Sequence, residues 1–584
     1  MSVTLSAHHR ALAEAWRELD PDAETRADVD ALLAGADNEL EDRFGQRLSF
    51  GTAGLRGAIG AGPNRMSRVL IRVVAAALAQ RVLRDEPGGH LVVGYDARHK
   101  SREFAEDTVR VAAAHGLHCT LLPEPLPTPV LAFTVRHLDA SAGVMVTASH
   151  NPKADNGYKV YWRGGAQISS PLDGEISALI DTTPLVAEGD LAPVDHPHIT
   201  IAGPELAETY TEAIVGMLEP QAPRTARVAY TPLHGVGAAS VTRAFAAAGF
   251  PTPAVVESQA APDPDFPTAP FPNPEETGVL DPLLDLATSI DADVALANDP
   301  DADRLAVAIP NGPSWRLLTG DELGSLLAEH LLSRPAPTGH DRLVINTVVS
   351  SRLLSKIAQH HGARYAETLT GFKWIMHERQ ARAAEAFVLG YEEALGYSVG
   401  ETVADKDGVS AALVVAEMVS QLTAKGSSLA DVLDDLHQRH GVHATGQRSI
   451  RFEATDDPVP VMTQAMAGLR ERAPEHVAGL PVIEVIDLGH GHGGLAPADA
   501  VILNLENGRV VIRPSGTEPK MKVYGEVILP AGDDLAAAQL SARAALTGLL
   551  DGAVALAAAP ERAAIDDAHD PTDDDLPRRC LLYT

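Results

Sequence analysis

The sequence predicts an α/β protein of several domains, and three observations carry that expectation. Its 584 residues exceed what one hydrophobic core usually serves, so three or four domains are expected. Short Val/Ile/Ala-rich runs alternate with longer Ala/Leu-rich stretches of helical period, as strand and helix in turn would. Three such cycles each end in a polar, turn-rich loop, and α/β folds bind ligands at the carboxyl ends of their strands.

Taken in order, residues 1–48 read as two amphipathic helices packed on the first domain, with Asp20 as N-cap of the second and Pro21 in its first turn. The first cycle, from about 50 to 215, holds the strand "LVVGYDAR", the helix "SREFAEDTVRVAAAHG", the strand "HCTLLP" and an apolar strand ending at Ser149. The second starts at "ARVAYTPLHGVG" and passes through the helix "AASVTRAFAAAGF" to the strand within "DADVALANDPDADR". A third begins near "RLVINTVVSSRLLSKIAQHHGA", and a last section of different pattern covers 446–555. The tail, with "DDAHDPTDDDLPRR", has the composition of a disordered acidic segment.

A net charge of −32 argues against general binding to nucleic acid or anionic membranes, since both are polyanions. The two cysteines, Cys119 and Cys580, match no metal-ligand or redox spacing. The N-terminus lacks a basic start followed by an apolar core, no run of about 18 apolar residues is read as a membrane span, and Cys580 stands one place too early for a prenylation box. A cytoplasmic protein with no membrane or nucleic-acid partner is expected.

Several loops carry chemistry. In "DPDADR", Asp299, Asp301 and Asp303 alternate with small or rigid residues after an apolar strand, so their carboxylates can converge on one hard divalent cation such as Mg²⁺. An EF-hand is excluded, because Arg304 and Pro310 occupy the places of its Gly and Glu. The alternative is a solvated acidic turn. Arg304 would set a positive charge beside an anion sharing the metal. In "RPSGTEPKMKVY", Arg513, Ser515, Thr517 and Lys522 surround Gly516 and offer hydroxyls, backbone N–H groups and two cations to a phosphate; as a lone signal the stretch is only a turn. "GYEEALGY" sets Glu392 at a strand end, either as a sugar-hydroxyl acceptor or as half of an acidic pair at a helix start. Lys406 in "ADKDG" is a proton-transfer lysine or part of a charged turn, and Arg56 in "GTAGLRG" is a lone cation in a mobile loop.

Ser149, in "TASHNPKADNG", invites a hydrolase reading. A triad needs a histidine opposed to the serine, whereas His150 is its chain neighbour and its side chain is expected to leave in another direction. No Gly-x-Ser-x-Gly elbow is present either.

"TASHNPKADNGYKVYW", "DPDADR", "GYEEALGY" and "RPSGTEPKMKVY", in this order over about 370 residues, resemble the α-D-phosphohexomutase superfamily of phosphoglucomutases and phosphomannomutases. "RFGQRLSFGTAGLRG", "PDPDFPTAPFPNPEE" and "DKDGVSAA" look most like its bacterial phosphoglucomutase and phosphoglucomutase-2 type branch. The resemblance implies four domains around a central cleft, three related α/β mixed-sheet domains and a C-terminal α+β domain. With the cycles above, these are 49–215 (domain I, phosphoserine loop), 216–325 (domain II, metal loop), 326–445 (domain III, sugar loop) and 446–555 (domain IV, phosphate loop), between the helices of 1–48 and the tail of 556–584.

The resemblance further implies Ser149 as the phosphoryl carrier, Asp299, Asp301 and Asp303 as Mg²⁺ ligands with the serine phosphate, and Lys406 as general acid/base. Lys159, His150 and Arg56 would assist transfer; Arg304, Thr370, Gly371, Glu392, Arg513, Ser515, Gly516, Thr517 and Lys522 would bind substrate. The implied reaction interconverts glucose 1-phosphate and glucose 6-phosphate, with glucose 1,6-bisphosphate as activator and intermediate. Mannose and pentose phosphates are alternative substrates, because Ala394 stands where many relatives have a sugar-contacting serine. A metal-dependent sugar phosphatase and a non-enzymatic sugar-phosphate sensor are the rival classes.

Overall fold

The computed structural model describes residues 2–35, 37–51, 54–336, 339–451, 459–515, 520–558 and 564–566. The chain divides into two compact units, residues 1–306 with 396–420, and residues 307–395 with 421–584.

In the first unit three helices, not the two expected, open the chain: Ser2–Leu19, Ala23–Ala34 and Asp37–Phe44. Gly35, whose N–H bonds back to Leu32 O, ends the second helix and splits what had read as one amphipathic run. The cap is Asp22, not Asp20: Asp22 Oδ1 accepts from Glu24 N at 3.1 Å, while the buried Asp20 carboxylate accepts from Asp22 N. Trp16 and Phe44 meet edge to face and share a core with Val69, Val73 and Leu91 of the following α/β layer, so these helices are part of that domain's core.

That layer is a six-stranded sheet in the order Leu55–Ala58, Asp155–Trp162, Ala142–Val146, His90–Tyr95, His118–Leu121, Ile199–Ile201. The last four strands are parallel, and Asp155–Trp162 is antiparallel to both its neighbours. The strand Ala142–Val146 is buried along its whole length, as a central parallel strand covered on both faces should be. A second parallel set in the same unit places Val228–Thr231 between Ala254–Val255 and Val294–Ala297.

In the second unit, Arg342–Thr347 lies parallel to both Arg364–Thr368 and Ala386–Glu392. An antiparallel sheet follows, in which Gly508–Pro514 and Lys520–Leu529 pair and Val442–Arg451 lies against the latter. One described helix, Leu535–Ala557, is long and apolar enough to cross a membrane, which corrects the reading that no such run exists. Its Leu546, Leu549, Leu550, Ala553 and Val554 share one face and join a buried core with Val510, Val523 and Val527, so the length and apolarity serve sheet packing. The expected disordered tail lies outside the described residues apart from 556–558 and 564–566.

Candidate active site

In the first unit the chain leaves the strand Ala142–Val146 and, at Ser149, adopts φ +52°. This left-handed geometry costs a non-glycine residue about 1–2 kcal/mol. Thr147 Oγ1 accepts from Ser149 N at 2.9 Å and closes the turn. The buried Ser149 Oγ donates to Asp299 Oδ2 at 2.6 Å and lies 3.2 Å from His150 Nδ1. The neighbouring imidazole therefore does reach the serine, contrary to the sequence expectation, because the left-handed backbone turns two successive side chains toward each other. Among the described residues no carboxylate bonds the ring's other nitrogen, so the third member of a triad is missing. Burial, then the guanidiniums of Arg304 and Arg56, push the His150 imidazole well below its ordinary pKa and keep it neutral.

The acidic loop follows the buried strand Val294–Ala297. Asn298, anchored by Tyr230 OH at 2.8 Å, donates to Arg304 O, and Ala302 takes φ +54°. Folded this way, the loop brings oxygens of Asp299, Asp301 and Asp303 within 4.8 Å of one another, all buried. Gly408 packs against the loop so closely that a Cβ there would stand 2.2 Å from Arg304 O, which demands glycine and sets the approach of Lys406. Lys159 Nζ donates to Asp301 Oδ2 at 2.7 Å and Asp303 Oδ2 at 3.0 Å; Thr128 Oγ1 donates to Asp301 Oδ2 at 2.6 Å. Lys406 Nζ lies 3.2 Å from Asp303 Oδ2 and 3.4 Å from Asp405 Oδ1. Asp405 is itself held by Tyr161 OH and Gln167 Nε2 at 2.7 and 2.9 Å.

Burial and the charges of Asp301 and Asp303 push the Asp299 carboxyl well above the usual carboxylate range. Burial acts the same way on Asp301, but Lys159, together with hydrogen bonds from Asp299, Lys159 and Thr128, outweighs it and holds that carboxyl below its ordinary value. The donor set fits a hard dication: hydrogen bonds engage the Oδ2 atoms of Asp301 and Asp303, while the buried Oδ1 of each has no hydrogen-bond partner. Arg56 reaches the serine loop through Asn151 Oδ1 at 2.9 Å. Arg304 N donates to Asp299 Oδ1, and its guanidinium pairs with Glu275 at 3.8 Å.

The second unit brings the remaining sequence-selected groups into two neighbouring settings. Glu392, at the end of its strand, accepts from Gly371 N at 2.7 Å, where φ of +117° calls for glycine. The adjacent Thr370 Oγ1 is buried without a partner. Arg513 and Lys522 are cross-strand partners on the pair Gly508–Pro514 and Lys520–Leu529, and both cations flank Tyr524, Arg513 Nη2 donating to its hydroxyl at 3.2 Å. Ser515 N donates to Lys520 O at 2.8 Å. Gly516 and Thr517 lie outside the described residues.

Sequence reasoning passed over three groups. Glu393 is pushed up to about 7 by burial and by the charges of Glu392 and Asp321, with Lys522 opposing. Arg98 lies under the serine loop, and Glu526 lies buried on the same strand as Lys522. The unused second glutamate of "GYEEALGY" was the available signal for Glu393; the other two have partners far away in the chain.

Sequence profiles of the phosphoglucomutase/phosphomannomutase family match this chain in four parts: alpha/beta/alpha domain I over residues 47–186, domain II over 208–312, domain III over 319–440 and the C-terminal domain over 463–533. A Haemophilus influenzae protein named "Probable phosphomannomutase" is 41% identical over 466 residues, 79% of this chain and 92% of that one. Human phosphopentomutase is 35% identical over 561 residues, 89% of this chain and 91% of that one. The crystal structure of a phosphoglucomutase/phosphomannomutase family protein from Burkholderia thailandensis shares the fold, with a TM-score of 0.66 at 21% identity over 88% of this chain and 98% of that one. The fold is thus a four-domain α/β one, and the chain is an isomerase of the intramolecular phosphotransferase type. It belongs to the phosphoglucomutase/phosphomannomutase family, within the α-D-phosphohexomutase superfamily.

Proposed function

We propose that this enzyme is a phosphosugar mutase that moves a phosphoryl group between two hydroxyls of one sugar phosphate by way of phosphorylated Ser149 and a sugar bisphosphate. The observation that carries the reading is the buried Ser149 Oγ, 2.6 Å from Asp299 in a three-carboxylate cluster flanked by Lys159 and Lys406. Asp299, Asp301 and Asp303 would hold Mg²⁺, which when bound supplies positive charge to phosphoryl oxygens.

The chain's own groups do the rest. In the first half-reaction the bond between Ser149 Oγ and phosphorus breaks as a sugar oxygen bonds to phosphorus; that hydroxyl's proton passes to Lys406, which enters as the neutral amine and becomes the ammonium that Asp303 and Asp405 hold, and the Ser149 oxygen leaves as the alkoxide. In the second, the other phosphoryl group passes to the Ser149 alkoxide as its bond to the sugar oxygen breaks, and Lys406 gives its proton to that oxygen. Lys159, Arg56 and Arg304 add fixed positive charge along the path of transfer. Glu392 and the Thr370–Gly371 turn bind sugar hydroxyls, and Arg513, Ser515, Gly516, Thr517 and Lys522 grip the phosphate that is not reacting. Each of the domains 49–215, 216–325, 326–445 and 446–555 contributes one of these loops.

Glucose 1-phosphate and glucose 6-phosphate are the substrates proposed first, with glucose 1,6-bisphosphate as intermediate and activator. A pentose phosphate is the second reading: it is supported by the 35% identity with human phosphopentomutase and by Ala394, which supplies no side-chain hydroxyl for a sugar contact. The deciding assay incubates purified enzyme and Mg²⁺ with glucose 1-phosphate, mannose 1-phosphate or ribose 1-phosphate and follows isomer and inorganic phosphate by ³¹P NMR. Isomer from one of these sugars establishes the mutase and its preference. Inorganic phosphate without isomer would overturn the reading in favour of a phosphatase.

A further inference from the structure

Beneath the Ser149 loop lies a guanidinium that neither the motifs nor the proposed chemistry use. Arg98 is buried just after the strand His90–Tyr95. Its Nη2 donates to Ser149 O at 2.7 Å and to Asn151 O, and its Nη1 donates to Pro152 O at 2.9 Å and Asp155 O at 3.2 Å. Asp96 Oδ2 lies 3.5 Å from Nε, and the guanidinium carbon is 4.9 Å from the centroid of the Phe266 ring. One side chain therefore ties down four carbonyls of the loop 149–155. Only a planar fork can do this while resting on an aromatic ring; an ammonium is a point donor without that geometry.

Phe266 comes from "PDPDFPTAPFPNPEE", a stretch that carries part of the family resemblance but has no place in the chemistry above. It is buried, with φ +46°, and its neighbour Asp265 pairs with Lys153 at 3.3 Å and His99 at 3.4 Å. Behind it Thr268 Oγ1 meets His234 Nε2 at 2.8 Å and Gln259 Nε2 at 3.0 Å. The Pro-rich stretch thus braces Arg98 from one side while the serine loop occupies the other. Strained backbone at a functional residue persists only where its surroundings over-determine it, and four carbonyl contacts from one fork do that for Ser149 at φ +52°.

We propose that Arg98, backed by Phe266, is a positioning residue: it touches no reacting atom but fixes where Ser149 Oγ stands relative to Asp299. The inference rests on the reading of Ser149 as phosphoryl carrier. Displacing a reacting group by about 1 Å lowers turnover by about 10²-fold. Arg98→Lys is accordingly expected to lose about 10²-fold in kcat, with KM within about threefold of the parent, the pattern of a group needed only in the transition state. Phe266→Leu should lose about tenfold in the same manner, and Phe266→Tyr, which keeps the ring, should restore turnover.

The test measures kcat and KM of the parent, Arg98→Lys, Phe266→Leu and Phe266→Tyr on the preferred sugar phosphate, with circular dichroism melts and the extent of Ser149 phosphorylation by intact mass after incubation with glucose 1,6-bisphosphate. A folded Arg98→Lys with parental kcat, or a loss confined to KM, overturns the inference. Should Arg98→Lys not fold, Phe266→Leu decides alone: parental kcat refutes the brace, and lowered kcat at parental KM, restored in Phe266→Tyr, supports it. Failure of the functional reading looks different, since the parent enzyme itself would then neither isomerise nor take up phosphate on Ser149.

Discussion

On Lys520–Leu529 the two-residue period of a strand sets Lys522, Tyr524 and Glu526 on one face, so the proposed phosphate grip shares its support with a buried acid. Glu526 Oε1 accepts from Ser351 Oγ, Arg352 N and His443 Nδ1, each at 2.9 Å, and Oε2 accepts from Arg352 Nε at 2.8 Å. Burial works to raise its pKa, but His443 and the guanidiniums of Arg509 and Arg352 outweigh burial and bring it from 4.5 to about 2. At 1.36 kcal/mol per pH decade, that difference amounts to about 3 kcal/mol of stability. The sign follows from the depressed value: the contribution is fully present above pH 4.5 and is lost as pH falls toward 2. Glu526→Gln keeps the shape and removes the charge, leaving the Arg352 guanidinium without the carboxylate it pairs with at 2.8 Å. It should destabilise the second unit by about 3 kcal/mol at pH 7, in line with the roughly 3–5 kcal/mol for breaking a buried pair. Urea-dependent hydrogen exchange read on peptides spanning 508–529 isolates this region in a multidomain chain. The gap between parent and variant should shrink as pH is lowered from 5 toward 2; a gap that stays constant over that range would refute the reasoning.

Three further outcomes are expected. Ser149→Ala should lose at least about 10³-fold in isomerase turnover with an unchanged melt, and parental activity would remove Ser149 from the mechanism. Mg²⁺ at about 100 times its dissociation constant should stabilise the parent by about 2.7 kcal/mol in a thermal-shift series but leave Asp301→Asn nearly unmoved, and equal shifts in both would count against the carboxylate site. Glu393, raised from 4.5 to about 7, binds its proton more tightly folded than unfolded, so it removes stability as pH rises from 4.5 through 7. Glu393→Gln should flatten that decline in urea titrations at pH 5 and pH 8, and an undiminished slope would show that Glu393 is not its source.

What the sequence disclosed depended on how far apart in the chain the cooperating atoms lie. Asp299, Asp301 and Asp303 sit within five residues, so their convergence could be argued from a turn alone; the structure added that Ala302 at positive φ makes the turn. The misread details were local but conformational. A histidine beside a serine was expected to point away, and a left-handed Ser149 brings the two within 3.2 Å. Asp20 and Asp22 are equally good caps by residue type, and only the packing of Asp20 into the interior decides for Asp22. Arg98 and Glu526 were illegible for a different reason. Their partners lie 51–57 and up to 175 residues away, and a single buried charge gives no period or spacing by which to find it.

The environment of His150 bears directly on what Ser149 can do. A triad histidine takes the serine proton and becomes an imidazolium, which a neighbouring carboxylate must stabilise. Here burial and the surrounding charges of Arg304, Arg56 and Lys159 oppose that imidazolium and outweigh Asp301, which favours it. A hydrolase would thus be working against its own electrostatics at the step where it most needs them. An anion at Oγ meets two opposed sets of groups: Arg304, Arg56 and Lys159 favour it, while Asp299, 2.6 Å away, with Asp301 and Asp303 beside it, opposes it unless a dication offsets their charge. In a chain of net charge −32 the cationic part of that field is assembled locally, from side chains of three separate segments at 56, 159 and 304. The potential a phosphate meets at Ser149 is therefore set by which groups are buried beside it, and not by the charge of the chain as a whole.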